Sequence, residues 1–296
     1  MTGSSARAWI LAARPRTLLA AVAPVAVGTG LAVGRGVFAA GPALAALVGA
    51  LLIQVGTNLA NDYYDYVRGG DTEERVGPTR VTQAGLLEPE RVRRGAWVVF
   101  GAAVVVGGYL TAVAGWPVVA IGVASVVAGI AYTAGPFPLA YHGLGDLFVF
   151  VFFGLVAVGG TYYVQALELR GDALLAGAGV GALNTAILVV NNLRDLDADA
   201  RAGKRTLAVR LGPVGTRIEY AGLLALGFGV PVAGVGLGPW SPWALLPLLA
   251  AAAAVRPLSR VLTRGGEPES LIPALGQTAA ATGLYGLLLA AGLAVG

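Results

Sequence analysis

Long, continuous apolar runs separated by short polar joints dominate the chain, and the runs do not alternate with period two. Each covers roughly 17 to 25 residues, the length a helix needs to cross a hydrocarbon core of ~30 Å. Lipid offers no water to unpaired backbone groups, so helices or closed barrels are the only spanning choices, and continuous runs select helices. The pattern predicts helices near 17–34, 41–66, 95–114, 117–134, 145–168, 172–193, 216–237, 242–262 and 270–295. The expected fold class is therefore all-α integral membrane, with about nine transmembrane helices forming one domain over 1–296. Polar segments at about 67–94 and 194–215 are expected to lie over the active site.

Composition sharpens this picture. The chain is 56% hydrophobic and 12% charged with a mean hydropathy of +0.75, whereas soluble domains carry about 25% charged residues. Forty-five glycines suit close helix packing in lipid, where small residues let backbones approach. With no cysteine, disulfide and thiolate chemistry are excluded. The first 16 residues are too polar for the apolar region of a cleaved signal peptide. The formal charge of +4 is not a nucleic-acid signal, because its meaning lies in where the charges sit. Arg7, Arg14 and Arg16, six arginines from Arg68 to Arg94, six basic residues from Arg194 to Arg217, and Arg256, Arg260 and Arg264 fall on one side of the nine-helix topology. Only Arg35 and Arg170 fall on the other. The positive-inside rule then places the N-terminus in the cytoplasm and the C-terminus outside.

Acidic groups are costly near a membrane and functional when they cluster. They cluster twice here, in a weak internal repeat. One predicted helix ends in Asn58-Leu-Ala-Asn61-Asp62-Tyr-Tyr-Asp65, and another, four helices later, in Asn191-Asn-Leu-Arg194-Asp195-Leu-Asp197-Ala-Asp199. Spacings of three and four place Asn58/Asp62, Asn61/Asp65, Asp62/Asp65 and Asp195/Asp199 on shared helical faces. If both ends meet, at least four carboxylates converge and must protonate or bind cations. Oxygen ligands without His or Cys favour Mg²⁺, which combines one or two carboxylates with substrate phosphates. Arg68, Arg75 and Arg80 follow the first motif, and Arg201, Lys204 and Arg205 the second. Carboxylates interleaved with cations suit a metal-bridged phosphate, although loops on this side of the membrane are positive in any case.

The string Asn61-Asp-Tyr-Tyr-Asp65-Tyr-Val-Arg68-Gly-Gly-Asp71, with Gly77-Pro-Thr-Arg80 after it, and Asn191-Asn-Leu-Arg-Asp195 through Asp199 to Gly203-Lys-Arg-Thr-Leu-Ala-Val-Arg-Leu-Gly212 resemble the UbiA superfamily. Within it they are most similar to the 1,4-dihydroxy-2-naphthoate prenyltransferases of menaquinone synthesis. The resemblance covers nearly the whole chain, including Tyr132-Thr-Ala-Gly-Pro136. It implies transfer of a polyprenyl group from its diphosphate to an aromatic acceptor, with loss of the acceptor's carboxyl group as carbon dioxide where that acceptor is the naphthoate. In the family, the positions matching Asn61, Asp62, Asp65, Asp71, Asp195 and Asp199 hold Mg²⁺ against the diphosphate, with Asn58 as the alternative amide ligand. Arg68, Arg75, Arg80, Lys204 and Arg205 match diphosphate-binding positions, and Tyr132 matches a tyrosine near the ionising carbon. Nothing in the chain calls for an obligate protein partner; the lipid bilayer is the expected surrounding.

The chemistry is consistent with that reading. Breaking an allylic carbon–oxygen bond leaves negative charge on the diphosphate, which metal and arginine stabilise as it develops. The allyl cation needs a dry cavity, which Tyr63, Tyr64, Tyr132, Phe137, Tyr141, Phe148, Phe152 and Phe153 lie on segments able to line, though aromatics at membrane edges are also common belt residues. His142 and Asp146 are the two candidates for handling the acceptor; the first also reads as a loop histidine and the second as a helix N-terminal charge. Other aromatic acceptors, 4-hydroxybenzoate and homogentisate, stay open. From a different class, an ion-coupled secondary transporter also uses intramembrane acids and repeated helix sets, but its acids belong near the midplane rather than at helix ends leading into arginine-rich loops.

Overall fold

The computed structural model describes residues 2–69 and 79–296, without the side chains of residues 2–4 and 16. Among them the chain is helical: α1 (Thr2–Ala13), α2 (Pro15–Gly34), α3 (Ala40–Val67), α4 (Pro89–Ala114), α5 (Pro117–Ala131), α6 (Gly145–Ala166), α7 (Gly171–Arg194), α8 (Leu196–Arg201), α9 (Leu207–Gly236), α10 (Pro242–Arg264) and α11 (Pro268–Val295). Eight of these are long and apolar enough to cross a membrane, and α5 is a ninth, shorter apolar helix of 15 residues. The all-helical membrane architecture matches the pattern in the sequence.

Local chemistry sets the boundaries. Proline opens α2, α4, α5, α10 and α11, where its missing N–H would have been unpaired anyway. Helix α4 starts six residues before the predicted 95, because Pro89 and Glu90 make a favourable first turn ahead of the apolar run. Helix α9 opens at Leu207, where the Thr206 hydroxyl accepts the Val209 N–H at 3.3 Å. It is interrupted at Gly212, whose φ of 68° only glycine adopts easily, and resumes near the predicted start at 216. The amphipathic first segment was not predicted as a helix. It forms α1, which buries Ala8 and Ala12 against Leu59 and Ala60 of α3.

Helix α7 is the interior helix: 72% of its apolar window is buried, against 22% for α4, which presents Trp97, Val98, Val104 and Val105 outward. Around α7 lie α2, α6, α9 and α11, and α11 also runs along α2. Small residues permit the closest approach. A Cβ on Gly154 of α6 would sit 2.5 Å from the Gly177 carbonyl oxygen of α7, so this crossing requires glycine. In the same stretch, Val151–Val156, α6 widens to a π-helical turn, a feature common beside functional sites. The polar ends of α3 and α7 emerge at the same end of the bundle, joined by the turn between α5 and α6.

Candidate active site

Four buried aspartates, Asp62, Asp65, Asp195 and Asp199, terminate or follow α3 and α7, each 8% exposed or less. Buried carboxylates require partners, and the partners reveal the layout. Asp65 accepts from Arg80 Nη2 at 3.1 Å and from the Tyr141 hydroxyl at 3.2 Å. Tyr141 lies in the 3₁₀ turn Leu139–His142 between α5 and α6, and its backbone carbonyl accepts the Arg205 N–H at 3.1 Å. Lys204 Nζ stands 5.4 Å and Arg68 Cζ 5.8 Å from its ring centre, within cation–π reach. One tyrosine thus links the end of the first motif to the basic stretch after the second.

The second motif is held by its own neighbours. Arg194 grips Asp195 with two bonds, 2.7 and 2.6 Å, and donates to Asn191 Oδ1 at 2.9 Å. Asp199 pairs with Lys204 at 3.5 Å and also accepts its N–H through the backbone at 2.8 Å. Burial is the main cause that raises the Asp199 pKa, to about 6. Lys204 opposes the rise, while the nearby charges of Asp195 and Asp65 add to it. Carboxyls from both motifs therefore share one electrostatic environment.

Around the first motif, the side chains divide. Asn61 Oδ1 accepts from Thr133 at 2.9 Å, next to Tyr132, and the Tyr132 hydroxyl packs against Gly145 at the start of α6. Asn58, the alternative amide ligand, faces the α1–α2 elbow instead. It donates to the Ala13 carbonyl at 2.9 Å and to Thr17 at 3.0 Å, and its oxygen accepts from Gln54 at 3.2 Å. The expectation that Asn58 shares a ligand with Asp62 is corrected accordingly: the amide is occupied in tying helices together, and Asp62 takes the Val81 and Thr82 amides. Both oxygens of Asp62 accept backbone N–H groups, from Thr82 at 3.0 Å and Val81 at 3.2 Å, so Asp62 folds the connecting loop onto α3. Tyr63 and Tyr64, expected as cavity residues, pack toward Trp97 and Phe100 of α4, on another side of α3 from Asp65. His142 stacks on Phe137 with ring centres 3.6 Å apart and its Nδ1 lies 2.9 Å from the Pro138 carbonyl, fixing it in its own turn.

Arg80 is buried, Arg68 is exposed and donates to the Gly135 carbonyl, and the Arg205 side chain is exposed. Asp71 and Arg75 lie outside the described residues. Tyr141 and Arg194 carry more of the arrangement than the sequence suggested. The signal for Arg194 was present, since it stands inside the second motif, but its grip on the adjacent aspartate is a matter of rotamer.

Among the described residues no three acidic or histidine side chains gather closely enough to hold a metal by themselves. That donor set still fits Mg²⁺, which takes one or two carboxylates and completes its shell with phosphate oxygens and water. Asp65, Asp195 and Asp199 offer hard oxygens and Asn61 an amide, with Arg80 paired to Asp65, Lys204 to Asp199, and Arg68 and Lys204 against the Tyr141 ring. Aspartate–arginine pairs beside one another can exchange partners when a metal and a polyanion arrive together.

Comparison with known proteins shows the family and the fold. The sequence profile described as "UbiA prenyltransferase family" matches residues 21–275. The chain is 42% identical to a 1,4-dihydroxy-2-naphthoate octaprenyltransferase from Mycobacterium tuberculosis, over 97% of both chains. It is 39% identical to the Escherichia coli protein of the same description, covering 98% of this chain and 96% of the relative. Among solved structures, the apo form of a UbiA homolog from Aeropyrum pernix K1 superposes with a TM-score of 0.66 at 17% identity, covering 90% of this chain and 96% of that one. A UbiA homolog from Archaeoglobus fulgidus bound to GPP and Mg²⁺ superposes at 0.63 with 14% identity, covering 95% and 99%.

Proposed function

Because the chain belongs to the UbiA prenyltransferase family, whose members are membrane-bound prenyltransferases, we propose that it transfers a polyprenyl group from polyprenyl diphosphate to 1,4-dihydroxy-2-naphthoate, releasing carbon dioxide and giving demethylmenaquinone. The acceptor follows from the relatives described as 1,4-dihydroxy-2-naphthoate octaprenyltransferases, aligned over nearly the full length of both chains. Mg²⁺ is the cofactor, as in the solved homolog that holds it with a prenyl diphosphate.

The observation that carries the reading is Tyr141, bonded to Asp65 and lying under Lys204, because it joins two motifs 130 residues apart into one polar chamber. Asp65, Asp195 and Asp199, with Asn61 and Asp62 at the margin, would hold the metal, which when bound neutralises charge on the departing diphosphate. Arg68, Arg80 and Lys204 would take diphosphate oxygens, sharing that work as the carbon–oxygen bond lengthens. Arg205 joins them if its exposed side chain turns inward. Tyr132, whose hydroxyl lies against Gly145 of α6, would offer its ring to the carbon that becomes cationic, an interaction that a π face favours. Apolar helix faces hold the isoprenoid tail and exclude water. The basic end of the bundle faces the cytoplasm of the cell membrane, in keeping with the distribution of arginines.

Purified protein supplied with Mg²⁺, a polyprenyl diphosphate and each acceptor in turn tests the proposal by product mass. The naphthoate is expected to give a prenylated, decarboxylated product that disappears with EDTA. Product from 4-hydroxybenzoate or homogentisate and none from the naphthoate would overturn the choice of acceptor.

A further inference from the structure

Asp146 is a carboxylate that the diphosphate chemistry does not use. It sits in the first turn of α6, is 6% exposed, and its Oδ2 has no hydrogen-bond partner among the described residues. A helix N-terminal charge needs neither feature, because it interacts with the helix dipole equally well at the surface. Burying a carboxylate oxygen without a partner costs stability, and a chain embedded in lipid retains such a group where function requires it.

Its surroundings indicate which function. The adjacent Gly145 packs beneath the Tyr132 hydroxyl, and the Tyr132 phenol lies within electrostatic range of Asp146, Asp65 and Asp199 together. Asp146 therefore lies beside Tyr132, with carboxylates of the two motifs also in electrostatic reach of that tyrosine. The other four carboxylates of the chamber are committed: Asp62 to two backbone amides, Asp65 to Arg80 and Tyr141, Asp195 to Arg194, Asp199 to Lys204. Each stands among the cations that would meet the diphosphate. A hydroxylated aromatic ring brings a donor that needs an acceptor away from those cations.

Resting on the proposed prenyl transfer, we infer that Asp146 Oδ2 accepts the hydrogen bond of the acceptor's ring hydroxyl, orienting the ring and taking its proton during bond formation. As a ring carbon's electron pair bonds to the allylic carbon, the carbon–oxygen electrons leave with the diphosphate. The hydroxyl proton passes to Asp146 and the ring oxygen becomes a carbonyl. When that ring carbon sheds its own substituent, as a proton to water or as carbon dioxide, the electrons return to the ring and the oxygen recovers its proton from Asp146.

The test pairs one substitution with one change in the acceptor. Full-length enzyme in detergent is assayed with Mg²⁺, geranyl diphosphate and either 1,4-dihydroxy-2-naphthoate or its two mono-O-methyl ethers. For wild type, methylation of the engaged hydroxyl is expected to lower kcat/KM by about 100-fold, the scale of a lost proton-transfer contact. Asp146→Asn is expected to lose a similar factor with the parent acceptor and to lose little more with the ether, while binding geranyl thiolodiphosphate with Mg²⁺ as wild type does. Glu219→Gln, which removes a carboxyl in electrostatic range of Asp146, keeps the full methylation penalty. Asp146→Ser answers the same question if Asp146→Asn does not fold. Near-normal turnover by the Asp146 variants, or an ether penalty as large in them as in wild type, overturns the inference and leaves the proposed function standing. Failure of wild type to prenylate any hydroxylated aromatic would remove the proposed function, and this inference with it.

Discussion

The two aspartate motifs resemble each other in sequence but are held in opposite ways. At the end of α3, Asp62 and Asp65 draw their partners from residues 15 to 76 positions away: Arg80, the Val81 and Thr82 amides, and Tyr141. After α7, Asp195 and Asp199 are satisfied by Arg194 and Lys204, one and five residues distant. These partners of the second motif come from its own stretch of chain, at and just beyond the end of the interior helix, whereas those of the first come from Arg80, Val81 and Thr82 ahead of α4 and from the α5–α6 turn. Duplicated sequence has therefore not produced duplicated support.

The largest effects should come from the carboxylates themselves and should not distinguish the halves. Asp65→Asn and Asp195→Asn are each expected to lower product formation by about 10²–10³-fold, the scale of losing a preorganised electrostatic group, with expression little changed. Near-normal rates in either variant would contradict a shared metal role. Asp62→Ala should separate the halves by stability. It leaves two buried amide donors unpaired, at ~1–3 kcal/mol each, and so should lower the thermal midpoint in detergent more than Asp199→Ala does. An equal or smaller drop would break the contrast drawn above.

A smaller effect concerns pH. The Asp199 carboxyl, raised by burial to about 6, is progressively protonated as pH falls through that value. Mg²⁺ binding measured by calorimetry in the presence of inorganic diphosphate should weaken by about tenfold between pH 7 and pH 5, since a protonated carboxyl is lost as a ligand. The sign for stability is the reverse: a folded-state pKa above the unfolded value means that this group favours the folded, metal-free protein increasingly as pH drops from about 6 toward 4. Asp199→Asn should flatten both trends, and an unchanged pH dependence in that variant would assign them elsewhere. The smallest effect expected is that of Tyr141→Phe. It keeps the ring under Lys204 and removes only the hydroxyl bond to Asp65, worth ~1 kcal/mol, so kcat/KM should fall by about fivefold. A loss as large as that of Asp65→Asn would mean that the hydroxyl does more than position.

Most of the fold was legible because the bilayer imposes one solution on a long apolar run, and the eight long helices and α5 lie where the runs do. What the runs could not reveal were elements stabilised by contact rather than by lipid: α1, held by Ala8 and Ala12 against α3, and the turn at Leu139–His142. The site divides similarly. Polar residues at spacings of three and four announce a shared helix face, yet Asn58 and Asp62, one turn apart on it, meet different partners: the α1–α2 elbow and the Val81 and Thr82 amides. Tyr141 was readable only as one aromatic among many, because its role comes from a tertiary juxtaposition that no local pattern encodes. Asp146 was ambiguous for a different reason: a charge in the first turn of a helix has the same sequence signature whether it faces water or a buried chamber.

The central claim is that both motifs grip one diphosphate through bound metal. The most direct measurement is a structure of the full-length protein with Mn²⁺ in place of Mg²⁺ and geranyl thiolodiphosphate. The account predicts metal density contacting carboxylates of both motifs, Asp65 on one side and Asp195 or Asp199 on the other, with the same diphosphate between them. Metal confined to a single motif, with the diphosphate bound away from the other, would contradict it.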